Sequence, residues 1–262
     1  MPLIYLSDIR LNVEVSGPAD APPILLCHAL GTDLSIWDDV VAALSPRFRC
    51  IRFDARGHGK SDVPAPPYAM GALIRDAERV LDHFGAREAV VVGSSMGGLV
   101  AQGLATKRLD LVRAMVLANT AAKIGGPALW QTRAAEVATH GLIAYAPGAM
   151  ERIFGRNWRD MAQMPRIRFI LEHMNPQGWI GCAHAIAGAD FYTTTAALTL
   201  PTLVIAGMND GTTPPDLVRE TADLIRGHDW ALMRGTGHLP MVEKPAEFTA
   251  LLDTFLTRIG HG

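Results

Sequence analysis

Short apolar runs bounded by turn residues recur along this chain, at residues 24–27, 48–53, 89–92, 114–117, 202–206 and 230–233. A strand with one wet face alternates apolar and polar residues, whereas runs apolar almost throughout belong to strands buried on both faces. The intervals between them carry helical spacing. Met70, Leu73, Ile74, Ala77, Val80, Leu81 and Phe84 form one apolar stripe, and Ile36, Trp37, Val40, Val41 and Leu44 a second. A third, Phe248, Leu251, Leu252, Phe255, Leu256 and Ile259, follows Pro245 at a first helical turn. Strand and helix in alternation predict a doubly wound α/β domain. Residues 9–15 do alternate, and with residues 3–6 across Ser7-Asp8 they predict an antiparallel hairpin at the sheet edge, making eight strands.

One region breaks the rhythm. Between Thr120 and Thr199 the chain is rich in Met, Trp, Arg and Gly, with helical pieces at 131–140 and 165–174 and no strand pattern. We expect residues 121–199 to be a helical cap inserted after the sixth strand, over a core built from residues 1–120 and 200–262. Apolar residues make up 49% of the 262 and charged residues 19%, enough for a large core. A net charge of −2 gives no electrostatic basis for binding nucleic acid or an anionic membrane. Three cysteines without a CxxC pair point to a reducing compartment, with Cys27 and Cys50 as buried, inert thiols. With no leader pattern and no apolar run near the 18 or so residues of a membrane span, a soluble cytoplasmic protein is expected.

The chemistry begins at Gly93-Ser94-Ser95-Met96-Gly97, a G-x-S-x-G pattern between a Val-rich strand and an apolar helix. A serine held at so tight a strand-to-helix turn needs small neighbours two residues away on both sides. Ser95 has Gly93 and Gly97 there, whereas Ser94 would have Val92 and Met96, so Ser95 is the candidate nucleophile. A hydroxyl needs a base within reach, and His238, in the glycine-flanked loop after the last strand, is placed for it. Asp210, after the strand at 202–206, is the expected acid, giving the chain order Ser, Asp, His. Asn119 occupies the end of the preceding strand, where an alternative acid could have stood. Backbone N–H groups of Met96 and Leu30 are the expected oxyanion donors, with His28 buttressing the Leu30 loop. His58 reads as a structural residue of an Arg-Gly-His-Gly turn ordered by Asp54, and His228 and His261 read as surface positions. No HExxH motif, clustered His/Cys/carboxylate set, Walker A loop or dinucleotide fingerprint is present, so neither metal nor cofactor is expected.

Taken together, Cys27-His28-Ala29-Leu30-Gly31-Thr32-Asp33, Asp54-Ala55-Arg56-Gly57-His58-Gly59, the serine turn and the His238 loop resemble the α/β-hydrolase family over essentially the whole chain. Within it, residues 28–37, the segment Ala118-Asn119-Thr120-Ala121-Ala122-Lys123-Ile124-Gly125 and Trp130 resemble 3-oxoadipate enol-lactonases of the β-ketoadipate pathway. The chain departs from their pattern at Ser94 and, more broadly, in the cap. The resemblance implies a mostly parallel eight-stranded sheet and acyl transfer through Ser95 to a small-molecule ester or lactone. An enol-lactone carries a free carboxylate, for which Lys123, Arg133 and the cap arginines are candidate partners, with Trp130 as a candidate pocket wall. The same motifs are compatible with a carboxylesterase, a C–C bond hydrolase of ring-fission products, a perhydrolase or a ligand receptor that keeps the triad.

Overall fold

The computed structural model describes residues 3–155 and 160–262. Eight strands form one sheet: β1 (Leu3–Tyr5), β2 (Arg10–Ser16), β3 (Pro23–Cys27), β4 (Arg49–Phe53), β5 (Ala89–Ser94), β6 (Val112–Ala118), β7 (Thr202–Gly207) and β8 (Asp229–Met233). Their order is β1-β2-β4-β3-β5-β6-β7-β8, antiparallel where β2 meets β1 and β4, and parallel elsewhere. Every strand read from the sequence is present, each within a few residues of its expected ends. β5 and β7 are buried at every position, as their apolar runs require. Helix α1 (Asp38–Leu44) packs on α10 (Pro245–Arg258), and α2 (Met70–His83) on α3 (Met96–Lys107). Helix α8 (Pro215–Leu224) lies against β7, and the short α9 (Pro240–Glu243) leads into α10.

The order reverses at β3, whose neighbours are β4 and β5, so a crevice opens where the loops after β3 and β5 diverge. Parallel register then aligns the strand ends. Cys27 sits beside Gly93, Ser94 beside Ala118, Ala118 beside Ile205, and Gly207 beside Met233. Five loops therefore leave one edge of the sheet together.

Between β6 and β7 the described residues form helices and turns, with no strand. Helix α4 (Pro127–Phe154) breaks at Gly141, at φ 76° and ψ 171°, one residue past the predicted helix end at 140. Its second half, containing Pro147 and Gly148, lacked a readable pattern. Helix α5 (Met164–His173) matches its expectation to a residue, while α6 (Pro176–Ala187) and α7 (Tyr192–Ala196) were not anticipated. Glycines at 178 and 181 conceal α6 in the sequence, although its buried face packs on α4. Arg156 and Arg159, two of the cap arginines, lie outside the described residues.

All three cysteines are free and buried, and burial pushes the Cys27 and Cys50 thiols up to about 12. His261 is not a surface residue: it is buried, stacks on Phe48 and bonds the Pro23 carbonyl. His228 is half-buried. No helix among the described residues is long and apolar enough to cross a membrane.

Candidate active site

β5 stops at Ser94 and α3 starts at Met96, so Ser95 alone turns the chain between them. It does so at φ 53°, left-handed backbone that a non-glycine residue keeps only when its surroundings hold it there. The Ser95 N–H donates to the Ala118 carbonyl (3.0 Å), and its carbonyl accepts from the Gly98 N–H (2.9 Å) and the Thr120 hydroxyl (2.7 Å). A Cβ on Gly93 would stand 2.2 Å from the Gly97 carbonyl oxygen, and one on Gly97 would stand 2.1 Å from that of Cys27. Both glycines are sterically required. Ser94 instead pairs with Ala118 in the ladder, fully buried, and its hydroxyl has no hydrogen-bond partner among the described residues.

His238 lies in the loop after β8 with Nδ1 2.7 Å from Asp210 Oδ2. A carboxylate accepts, so Nδ1 carries the proton and Nε2 keeps its lone pair. Asp210 is heavily bonded. Its Oδ1 accepts from the N–H groups of Thr212 (2.7 Å) and Thr213 (3.1 Å), and its Oδ2 from the Thr213 hydroxyl and the Asn119 amide, both at 2.7 Å. Burial by itself raises the Asp210 pKa, but the His238 partner and these hydrogen bonds outweigh it, leaving the carboxyl below its ordinary value. The histidine loop has its own clamp. Glu243 accepts from Gly237 N–H (2.8 Å) and Leu239 N–H (3.1 Å), on either side of His238, and burial pushes its carboxyl above the usual range.

The cap is fastened to both loops. At the end of α4 the Arg152 carbonyl accepts from Gly211 N–H (2.9 Å) and the Ile153 carbonyl from His238 N–H (2.6 Å). These are carbonyls that a helix end leaves without internal partners. Beneath the cap lies a cavity of about 50 Å³. Leu30, Gly31, Ser95, Thr212 and His238 line it from the core, and Trp130, Arg133, Tyr145, Ala149, Arg152, Ile153, Leu171 and Trp179 from the cap.

Of the residues singled out in the sequence, Ser95 and His238 share this cavity, with Asp210 bonded behind the imidazole. Leu30 lines it, and Met96 is the first residue of α3, where backbone N–H groups have no partner within the helix. Trp130 walls it, with its indole N–H turned to the Ile124 carbonyl. Lys123 does not line it: its ammonium is paired with Asp190 at 3.0 Å on the surface. Arg133 does line it, lying over the Trp130 ring, and burial holds its guanidinium below the usual arginine value. Arg152 lies over Tyr145. Neither arginine forms an ion pair among the described residues. The supporting role of Asn119 was not legible, because it depends on a contact with Asp210 in a distant loop, and those of Thr213 and Glu243 depend on how their own loops turn back on Asp210 and His238. Among the described residues, no cluster of His, Cys, Asp and Glu could hold a metal ion.

Residues 22–245 match the α/β hydrolase fold family. The chain is 33% identical to 3-oxoadipate enol-lactonase 2 of Acinetobacter baylyi over 96% of this chain and 94% of that protein. It superposes on the crystal structure of the enol-lactonase from Burkholderia xenovorans with a TM-score of 0.94 and 34% identity, covering 98% of this chain and all of the other. A thermophilic esterase from Thermogutta terrifontis, solved with malate bound, aligns at 29% identity and a TM-score of 0.89, over 97% and 95% of the two chains.

Proposed function

The chain belongs to the α/β-hydrolase family, a family of ester-hydrolysing enzymes among its relatives, and we propose that it opens 3-oxoadipate enol-lactone to 3-oxoadipate. One observation carries this reading: Ser95, His238 and two guanidinium groups that form no ion pair among the described residues line the same small cavity. The reaction starts when Ser95 Oγ attacks the lactone carbonyl and passes its proton to His238 Nε2. The Leu30 and Met96 N–H groups hold the oxyanion. Collapse breaks the ring C–O bond, and the departing enol oxygen takes the proton from His238 and relaxes to a ketone. Water, deprotonated by His238, then attacks the acyl-enzyme and releases the dicarboxylate product. Arg133, aided by Arg152, binds the carboxylate that the ring opening leaves untouched. A desolvated guanidinium beside a second cation gains most when an anion arrives. The sequence relatives and the B. xenovorans structure support the lactone, and the malate-bound esterase supports a carboxylate-bearing ligand.

The test compares steady-state turnover of the enol-lactone with that of neutral aryl esters and ring-fission diketones. We expect kcat/KM to be highest for the lactone. Equal or faster turnover of an aryl ester would sink the substrate assignment while leaving the hydrolase chemistry intact. Labelling by a fluorophosphonate, lost in Ser95→Ala and kept in Ser94→Ala, checks the nucleophile separately.

A further inference from the structure

Two loops far apart in sequence exchange imidazoles. His28, in the loop after β3, accepts the Ala55 N–H on Nε2 at 2.9 Å. His58, in the turn after β4, accepts the Gly31 N–H on Nε2 at 3.0 Å. Each Nδ1 sits on a backbone carbonyl, that of Ala29 at 2.8 Å for His28 and that of Arg56 at 3.2 Å for His58. Carbonyls only accept, so both rings carry the proton on Nδ1 and present a lone pair on Nε2. The rings meet edge to face with centroids 5.1 Å apart, and both are almost completely buried. Burial first, and the neighbouring His28 next, push the His58 pKa down to about 3, so the ring remains a neutral acceptor.

Gly31 needs such a hold. It sits at φ 77°, where a glycine swings freely unless something fixes its peptide. The cap presses on the same two loops. A Cβ on Gly31 would lie 2.9 Å from Leu171 Cδ1, and one on Gly178 of α6 would lie 2.0 Å from the Gly57 carbonyl oxygen. Cys182 of α6 reaches the Arg56 carbonyl at 3.4 Å, the carbonyl that orients His58. A histidine that merely fills the core would not join a backbone N–H of the oxyanion loop to the seat of a cap helix.

We propose that His58 is a positioning residue for the oxyanion hole: by accepting the Gly31 N–H it fixes the Leu30–Gly31 segment, and with it the direction of the Leu30 N–H, to the turn on which α6 rests. The inference rests on the assignment of Leu30 as an oxyanion donor. It gives work to a residue that the sequence offers only as part of a turn.

His58→Phe keeps the ring and removes the acceptor, while His58→Gln can place Oε1 near the former Nε2. The readouts are the rate of Ser95 phosphonylation by a fluorophosphonate, kcat and KM for an aryl ester and the enol-lactone, and the coupling across the hydrogen bond from Gly31 ¹⁵N to His58 ¹⁵Nε2. Wild-type protein should show the coupling. His58→Phe should lose about 10- to 100-fold in phosphonylation rate and kcat with KM little changed, less than the roughly 10²- to 10³-fold for outright loss of a donor. His58→Gln should recover most of the rate. Phosphonylation of a folded His58→Phe protein at the wild-type rate overturns the proposal. So does absence of the coupling in wild-type protein, which decides the matter if His58→Phe does not fold. A loss shared equally by His58→Gln and accompanied by a matching rise in KM also overturns it, as the mark of a packing role. The phosphonate reads the oxyanion hole whatever the natural ester, so a wrong lactone assignment leaves this test standing. A wild-type protein that takes no probe defeats the hydrolase reading and this proposal together.

Discussion

Asp210 shows how much of a single residue's behaviour is set by its surroundings. Four hydrogen bonds besides that of His238 converge on its two oxygens, and they hold its carboxyl below the ordinary value despite burial. A depressed folded pKa adds stability that is fully present above the unfolded value of about 3.9 and is lost as pH falls through the folded pKa. Urea melts of wild-type protein and Asp210→Asn across the acid range should therefore converge as pH drops and separate again above it. At neutral pH the same variant should retain its fold and lose about 10⁴-fold in kcat, because an amide can hold the imidazole in the wrong tautomer. A kcat within tenfold of wild type would remove Asp210 from the mechanism. Ser94 is the opposite case: its buried hydroxyl has no partner among the described residues, so its removal leaves none of them unpaired.

At the scale of elements, the β5–α3 junction leaves its backbone no room for side chains at two positions. Its two glycines permit a backbone approach that no other residue type allows, and Gly97 lies against the Cys27 carbonyl of the neighbouring strand. Because that neighbour is backbone rather than a mobile side chain, Gly97→Ala must displace β3 or α3. We expect it to cost about 1–3 kcal/mol of stability, read from chemical denaturation, together with most of the turnover. A variant that labels and melts like wild type would show that the junction can give. The sequence announced this junction because its requirement is local: small residues at fixed spacing around one serine. It could not announce the end of α4, whose last carbonyls receive the N–H groups of Gly211 and His238 from loops far along the chain.

At the scale of the whole molecule, the cap covers the cavity that holds Ser95 and His238. The cavity of about 50 Å³ is small beside the ~300 Å³ at the low end of ligand pockets. Under the proposed function, the charge of Arg133 is the test of what the cavity admits. Arg133→Met removes a half-buried cation that lines the cavity and forms no ion pair among the described residues. It should raise KM for the enol-lactone at least about tenfold, the scale of one charge-assisted hydrogen bond, while leaving a neutral aryl ester nearly unchanged. An equal effect on both substrates would mean that Arg133 serves the cap's packing instead.

By itself the sequence located the eight strands, the helices at 36–44, 70–84 and 245–259 and the serine turn, and it offered Ser95, Asp210 and His238 as candidates, because strand periodicity, helical spacing and the steric demands of a tight turn are written in neighbouring residues. It determined only loosely the helices of the cap, where α6 is masked by glycines that exist to let it approach Gly57. Tertiary structure alone decided that Lys123 is spent on Asp190 at the surface while Arg133 and Arg152 line the cavity. It also brought Asn119 to the acid loop and His58 to the Gly31 N–H. The reason is physical: these contacts join loops separated by tens of residues, and which of several similar charges or histidines meets a given partner depends on the packing of the elements between them.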